Sequence, residues 1–315
     1  MSDKNSFWQR IKKPILALAP MAGVNNPAFR LICKKFGADV LYTEMISAAG
    51  LTYGGKKTLA YLAFDRKEKP VVAQLFGSRS EDFKKAAKIV EKAGLAGVDI
   101  NLGCPARKVI KNKSGSALMQ DLETAYQIIK ISCEATHLPV SIKIRNSKGD
   151  VQAIDLIKKI KDLPVRAIMI HGRSYEQGFS GDPNWSEFKK IRKIYHGILL
   201  ANGGVDNPED AKKVLRETGA DGLGLARVTW GRPWIFQQIK DYLRSDKYHE
   251  PLWSEKLKII FTHARMAVKD EYSLLEFRKH LLWYARGVPG AAHLRQQLME
   301  AKNLEEIEKI LKGCF

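Results

Sequence analysis

Eight short apolar runs recur along this chain, each separated from the next by a stretch that mixes charged and aliphatic positions. They cover residues 15–20, 40–44, 71–77, 97–103, 140–145, 167–173, 197–204 and 221–227. Most are apolar on both faces, as parallel strands must be when helices cover one side and a packed interior the other. The stretches between them carry helix signals. Residues 81–90 alternate charged and aliphatic faces behind Ser80, a capping residue type, and Asp206-Asn207-Pro208 opens another helix with cap-type residues and an early proline. Eight β/α units over about 230 residues predict an α/β fold, a (β/α)8 TIM barrel. An open doubly wound sheet is the alternative, and the regularity of the alternation favours closure.

After Trp234-Ile235-Phe236 the strand signal stops. Residues 254–270, 273–286 and 291–312 are helical in pattern, and Gly287-Val288-Pro289-Gly290 separates the last two. The expected organisation is therefore a barrel domain over residues 1–243 and an all-helical domain over 244–315. The chain is strongly basic, with 53 Lys and Arg against 34 Asp and Glu and a formal charge of +19. The helical part holds 13 basic and 10 acidic residues, which leaves +3 there and +16 on the barrel. A basic proteome would explain such a charge, and so would a polyanionic partner such as RNA or DNA.

Cys33, Cys104, Cys133 and Cys314 are scattered, without CxxC or Cys/His ligand spacing. That argues against a structural zinc site and a disulfide framework and points to a reducing, cytoplasmic setting. Residues 12–19 imitate a leader peptide, but the apolar stretch is short and Pro20 interrupts it, so a buried first strand is the better reading. No run is long enough to span a membrane. His137, His196, His249, His263, His280 and His293 show no metal-ligand spacing and read as structural or surface residues.

In a barrel the C-terminal strand ends face the active site. Here those ends carry Pro20-Met21-Ala22, Glu44, Gln74, Asn101 and Cys104, Lys143 and Arg145, His171 and Arg173, Asn202-Gly203-Gly204, and Ala226-Arg227. Any one Asn or Gln at a strand end can be satisfying local backbone. Polar groups at nearly every end of one barrel are harder to explain that way. Cys104, one turn beyond its strand, stands where a reactive acid or nucleophile would be held. The basic run after it (Arg107, Lys108, Lys111, Lys113, with Gly115) would surround a polyanion brought to the thiol. The glycine-bearing ends of the last two strands suit a phosphate site built from backbone N–H groups, with Arg227 adding charge. Lys143 lies within an apolar run, so it either finds a partner or snorkels at the rim.

These residues, in this order, resemble the tRNA-dihydrouridine synthases, most of all their bacterial B-type branch. The likeness is carried by Ala19-Pro20-Met21-Ala22-Gly23-Val24, Ala73-Gln74-Leu75-Phe76-Gly77, Asp99-Ile100-Asn101-Leu102-Gly103-Cys104-Pro105 and Lys143-Ile144-Arg145. It continues through His171-Gly172-Arg173, Asn202-Gly203, Arg227, Gly231-Arg232-Pro233-Trp234-Ile235-Phe236, Arg278-Lys279-His280 and Pro289-Gly290-Ala291-Ala292. The resemblance implies FMN-dependent reduction of uridine in tRNA to 5,6-dihydrouridine, with NADPH or NADH as reductant. By that likeness Pro20, Met21, Ala22, Gln74, Lys143, His171, Asn202, Gly203, Gly204, Ala226 and Arg227 hold FMN. Asn101 and Arg173 face the target uracil, and Cys104 gives a proton to its carbon 5. A thiol of ordinary pKa, about 8.5, carries that proton at neutral pH. The expected partner is tRNA, with ribosomal RNA left open; no metal and no membrane is expected, and the protein is expected to be a monomer. Three positions depart from the family pattern: Ala226-Arg227-Val228 stands in place of Gly-Arg-Gly, and Gly204 in place of an acidic residue. A different flavin barrel acting on a small molecule, or an RNA-binding protein without catalysis, are the competing readings.

Overall fold

Eight parallel strands follow one another round a closed barrel in chain order. They are β1 (Ile15–Leu18), β2 (Val40–Ser47), β3 (Val71–Phe76), β4 (Gly97–Leu102), β5 (Val140–Arg145), β6 (Val165–His171), β7 (Ile198–Asn202) and β8 (Gly222–Leu225), and β8 pairs with β1 to close the ring. This computed structural model describes residues 6–269 and 274–313. A small antiparallel hairpin, Ser147–Lys148 with Val151–Gln152, lies beyond β5. The closed barrel, not the open sheet, is the architecture.

Two apolar layers hold the barrel. Inside it, Ile15, Ala17, Val40, Tyr42, Val72, Met169 and Leu200 fill the interior, and Trp8 packs with them at 1% exposure. Outside it, the other face of each strand packs against α1 (Pro27–Lys35), α2 (Ser80–Lys92), α3 (Leu122–Ala135), α4 (Ala153–Lys159), α5 (Phe188–Ile194), α6 (Pro208–Thr218) and α7 (Ile235–Ser245). Strands buried on both faces are what the two-sided apolar runs require. One buried ion pair ties α1 to the loop before β3: Arg30 bonds Glu68 at 2.6 Å, with both side chains essentially inaccessible.

The chain then forms α8 (Trp253–Lys269), α9 (Leu274–Tyr284), α10 (Ala291–Glu300) and α11 (Leu304–Lys312). Ile260, Phe277, Leu281, Leu294, Leu298, Ile307 and Leu311 form a separate apolar cluster that also takes in Ala28 of α1 and Trp234. No helix among the described residues is long and apolar enough to cross a membrane.

Local details differ from expectation in three places. The cap before α2 falls on Arg79, and Ser80 is its first helical residue; Glu81 and Asp82 in the first turn supply the negative charge that a helix start favours. The stretch 291–312 is two helices, because Asn303 turns extended and its side chain accepts the Glu306 N–H, starting α11 anew. Strand β2 runs past Glu44 to Ser47, since a bulge between Tyr42 and Met45 lets the extension pair with β3. Asp270 and Ser273, expected at helix ends, and Cys314 lie outside the described residues.

Candidate active site

Parallel register explains why the polar strand ends meet. Gln74 pairs with Asp99, Asn101 with Lys143, Arg145 with His171, and His171 with Asn202, so adjacent strands present these groups at one level. They surround a cavity of about 550 Å³ at the C-terminal end of the barrel. All the residues that the resemblance assigns to FMN, to the uracil or to proton transfer line it: Pro20, Met21, Ala22, Gln74, Asn101, Cys104, Lys143, His171, Arg173, Asn202, Gly203, Gly204, Ala226 and Arg227.

A hydrogen-bonded chain sets the floor. Ser141 Oγ donates to one Asp99 oxygen at 2.6 Å, and Gln74 Nε2 donates to the other at 2.7 Å. Gln74 Oε1 in turn accepts from Asn101 Nδ2 at 2.8 Å. That fixes the Asn101 amide with its oxygen toward the following loop, where it accepts the N–H groups of Gly103 and Cys104 at 3.2 and 2.9 Å. Asp99 therefore orients Gln74, Gln74 orients Asn101, and Asn101 holds the backbone that carries the partly exposed Cys104 thiol. Burial pushes the Asp99 carboxyl up to about 6, against the opposing pull of Gln74, Ser141 and Lys143.

Cations crowd the wall above this floor. Lys143 Nζ donates to Asn202 Oδ1 at 3.0 Å, so the lysine has found a partner and is not snorkelling, while Asn202 Nδ2 bonds the Gly224 carbonyl at 2.7 Å. Burial first, then Arg145, brings Lys143 down to about 8. His171 is held neutral, down to about 2, by burial and then by Lys143, Arg145, Arg173 and Arg227. None of these four cations forms an ion pair with a carboxylate among the described residues. Arg145 spends its guanidinium on the carbonyls of Gly103, Ser174 and Gly178, which braces the Cys104 loop against the loop after β6.

The β7 end is built for close approach. Gly203 has φ +95°, and a Cβ there would fall 2.7 Å from the His171 ring, so a side chain is barred by both backbone and space. The N–H groups of Gly203 and Gly204 donate to no protein acceptor among the described residues.

Some residues fall elsewhere. Glu44 does not line the cavity; its carboxylate accepts the Gly23 N–H behind the wall, and burial raises its pKa. Arg107, Lys108, Lys111 and Lys113 are exposed on and beside a short helical turn, Arg107–Lys111, outside the cavity lining. Among the described residues no group of three or more His, Cys, Asp or Glu could hold a metal ion. The strand-end reading missed Asp99, which stands in mid-strand, and several lining residues, among them Met45, Phe179, Asp206 and Trp230. Phe179 lies against Arg227, with the guanidinium 4.4 Å from its ring centre. Trp230 stacks on Trp283 of α9, with ring centres 4.5 Å apart, so the helical part forms the backing of one cavity wall.

The family model described as dihydrouridine synthase (Dus) matches residues 17–315. A relative from Rickettsia conorii named "Probable tRNA-dihydrouridine synthase" is 34% identical over 288 residues, 89% of this chain and 87% of its own. The "tRNA-dihydrouridine synthase B" of Pseudomonas aeruginosa is 32% identical over 289 residues, 90% of this chain and 87% of its own. Among solved structures, an old yellow enzyme homologue from Zymomonas mobilis is similar in fold, with a TM-score of 0.55 at 13% identity, covering 80% of this chain and 96% of that one.

Proposed function

The chain belongs to the dihydrouridine synthase family, and from that premise we propose that it reduces uridine in tRNA to 5,6-dihydrouridine with FMN as its cofactor and NADPH or NADH as reductant. The observation that carries this reading is one cavity in which a thiol meets four cations that have no carboxylate partner among the described residues. Such a site favours an anionic ligand.

The residues suit FMN. The unbonded N–H groups of Gly203 and Gly204, with Ala226 and Arg227 across the β7–β8 mouth, have the chemistry of a phosphate cradle in the position where barrels commonly build one. Pro20, Met21 and Ala22 offer an apolar wall, while Gln74, Lys143, His171 and Asn202 offer polar edges to a flat heterocycle. Among the described residues neither ring nitrogen of His171 has a protein partner, so a neutral imidazole is available to a ligand. Ala226, Val228 and Gly204, the departures from the family pattern, all line the cavity; at 204 a Cβ would fall 2.7 Å from Pro183, so glycine suits this packing.

Bound there, the flavin would supply two electrons and the hydrogen that arrives at carbon 6 of uracil. The 5,6 double bond is conjugated to the carbon 4 carbonyl, so negative charge develops on carbon 5 and that oxygen. Cys104 then gives its proton to carbon 5, and solvent restores the thiol. Asn101 and Arg173 hold the uracil, and Lys143 supplies positive charge where the site becomes more negative. A uracil stacked in folded RNA is out of reach, so the nucleotide must swing out into the cavity. The +16 of the barrel and the helices of residues 244–315 grip the surrounding RNA backbone.

Cys104→Ala tests the assignment. A positioned general acid contributes roughly 10²–10⁴-fold, so dihydrouridine formation on tRNA should fall by at least a hundredfold while the protein stays yellow. Full turnover by Cys104→Ala would remove the thiol from the mechanism. Equal turnover of free uridine and folded tRNA by the wild type would favour a small-molecule reductase.

A further inference from the structure

Four aromatic side chains stand in the open among the described residues: Tyr53 (69% exposed), Phe179 (56%), Tyr61 (45%) and Tyr248 (36%). Phe179 belongs to the cavity. Tyr53 and Tyr61 bracket a segment that follows β2, at the same end of the barrel, and Leu59 between them is also exposed. Single exposed rings are ordinary, but two at the ends of one nine-residue segment, with an exposed leucine between them, concentrate apolar surface there.

The segment is built, not loose. Two short helical turns, Ala48–Thr52 and Lys56–Ala60, are tied by Tyr53 N–H to the Ala49 carbonyl (3.0 Å), Gly55 N–H to the Gly50 carbonyl (3.1 Å) and Thr58 N–H to the Gly55 carbonyl (2.8 Å). It also lies beside the cavity. Met45 of β2, three residues before the first of these turns, lines the cavity, and the Tyr61 phenol is raised by burial first and then by the charges of Glu44 and Glu276. Glu44 accepts the N–H of Gly23, whose chain neighbours Ala22 and Val24 both line the cavity.

Its charge selects a partner. Residues 53–69 hold Lys56, Lys57, Arg66, Lys67 and Lys69 against Asp65 and Glu68, and Glu68 is already consumed by the buried Arg30. Lys56 and Lys57 are exposed and make no ion pair among the described residues. Flat rings interleaved with unpaired lysines suit a single strand of nucleic acid: every base has a π-face, and every phosphate a charge. An extruded uridine leaves its flanking bases unstacked at this rim.

We propose that residues 53–61 form a ledge on which Tyr53 and Tyr61 stack unpaired bases next to the target uridine, while Lys56 and Lys57 take the adjoining phosphates. The proposal rests on the reading that tRNA is the substrate. It goes beyond that reading by assigning a particular surface to the nucleotides around the reduced one.

The test uses the full-length, flavin-loaded enzyme and a transcribed tRNA. Tyr53→Ala and Tyr61→Ala should each raise Kd and KM for tRNA by roughly 5- to 150-fold, the range of one lost base stack, with kcat, flavin content and melting temperature unchanged. Tyr53→Phe and Tyr61→Phe should restore wild-type values, since the π-face is kept. Lys56→Ala and Lys57→Ala should each lower the slope of log affinity against log salt by about one, a readout independent of the tyrosine variants. Unchanged Kd and KM in both alanine variants overturns the ledge, and so does a phenylalanine variant as weak as the alanine one. An equal loss of affinity for a duplex RNA of the same length also overturns it, because no base is free to stack there. A wild type that binds tRNA but forms no dihydrouridine would instead sink the proposed function, leaving the Kd comparison to judge the ledge.

Discussion

Lys143→Met should make the flavin-free protein more stable while weakening flavin binding. Holding the ammonium in the barrel brings its pKa from 10.5 down to about 8. That displacement corresponds to a folding cost of about 3 kcal/mol at neutral pH. Lys143 opens onto the cavity and is only partly buried, so water screens it and this figure is a ceiling. Methionine keeps an unbranched side chain only one heavy atom shorter and needs no solvation. Against the gain stand the lost bond to Asn202 Oδ1, worth about 1 kcal/mol, and the loss to Asp99 of a neighbouring cation that favours its charged form. The net expectation is a stabilisation of about 1–2 kcal/mol, or roughly 2–6 °C in Tm. The sign can be checked with pH. The folded pKa lies below the unfolded one, so the wild-type penalty is fully present below about pH 8 and fades as pH rises toward 10.5. The advantage of Lys143→Met in urea or thermal unfolding should therefore shrink over that interval. A flavin-free variant melting more than about 2 °C below wild type at pH 7 would refute the reasoning. It would mean that Lys143 serves the fold as a partner for Asp99 and does not strain it on behalf of a ligand.

Two further outcomes follow from the same physics. His171 is held down to about 2, His263 to about 3 and His280 well below its ordinary 6.5, so the unfolded chain takes up protons that the fold refuses as pH drops below 6.5. Each contributes a slope of up to about 1.4 kcal/mol per pH unit; Asp99, raised to about 6, opposes with one proton below that pH. Urea unfolding should weaken by about 3 kcal/mol per unit between pH 6 and 4, with about 1.4 kcal/mol of that slope removed in His263→Gln; an unaltered slope in the variant would count against a neutral buried His263. Gly231 has φ +67°, and a Cβ there would fall 2.4 Å from the Trp283 carbonyl. Gly231→Ala should cost about 2–4 kcal/mol and speed hydrogen exchange in α9 more than in the barrel strands; equal protection in both would show that this contact does not seat α9.

The barrel was legible because burial on both faces leaves a mark that survives without any partner strand in view. Each run became a strand within a few residues of its expected ends. The exception, β2, was cut short at Glu44 because a charged residue looks like an end, whereas a bulge lets the chain resume pairing through Met45–Ser47. The break before Asn303 was missed for the opposite reason: Glu300-Ala301-Lys302 are good helix formers, and only the cap reveals the stop. Most of the candidate site was equally readable, since a parallel register brings strand ends to one level whatever the loops do. Asp99 escaped because it lies two residues before the strand-end residue Asn101, on the same face by the two-residue period. That spacing is a usable signal: an acid two positions before a polar strand end points into the barrel and must be satisfied from neighbouring strands, as Ser141 and Gln74 do. Phe179 carried no comparable mark. Its position is set by Arg145, which reaches from β5 to the carbonyls of Ser174 and Gly178, and by the face it turns to Arg227. Those contacts exist only once three strand ends have been brought together, so a loop residue of this kind becomes visible after the barrel has closed and not before.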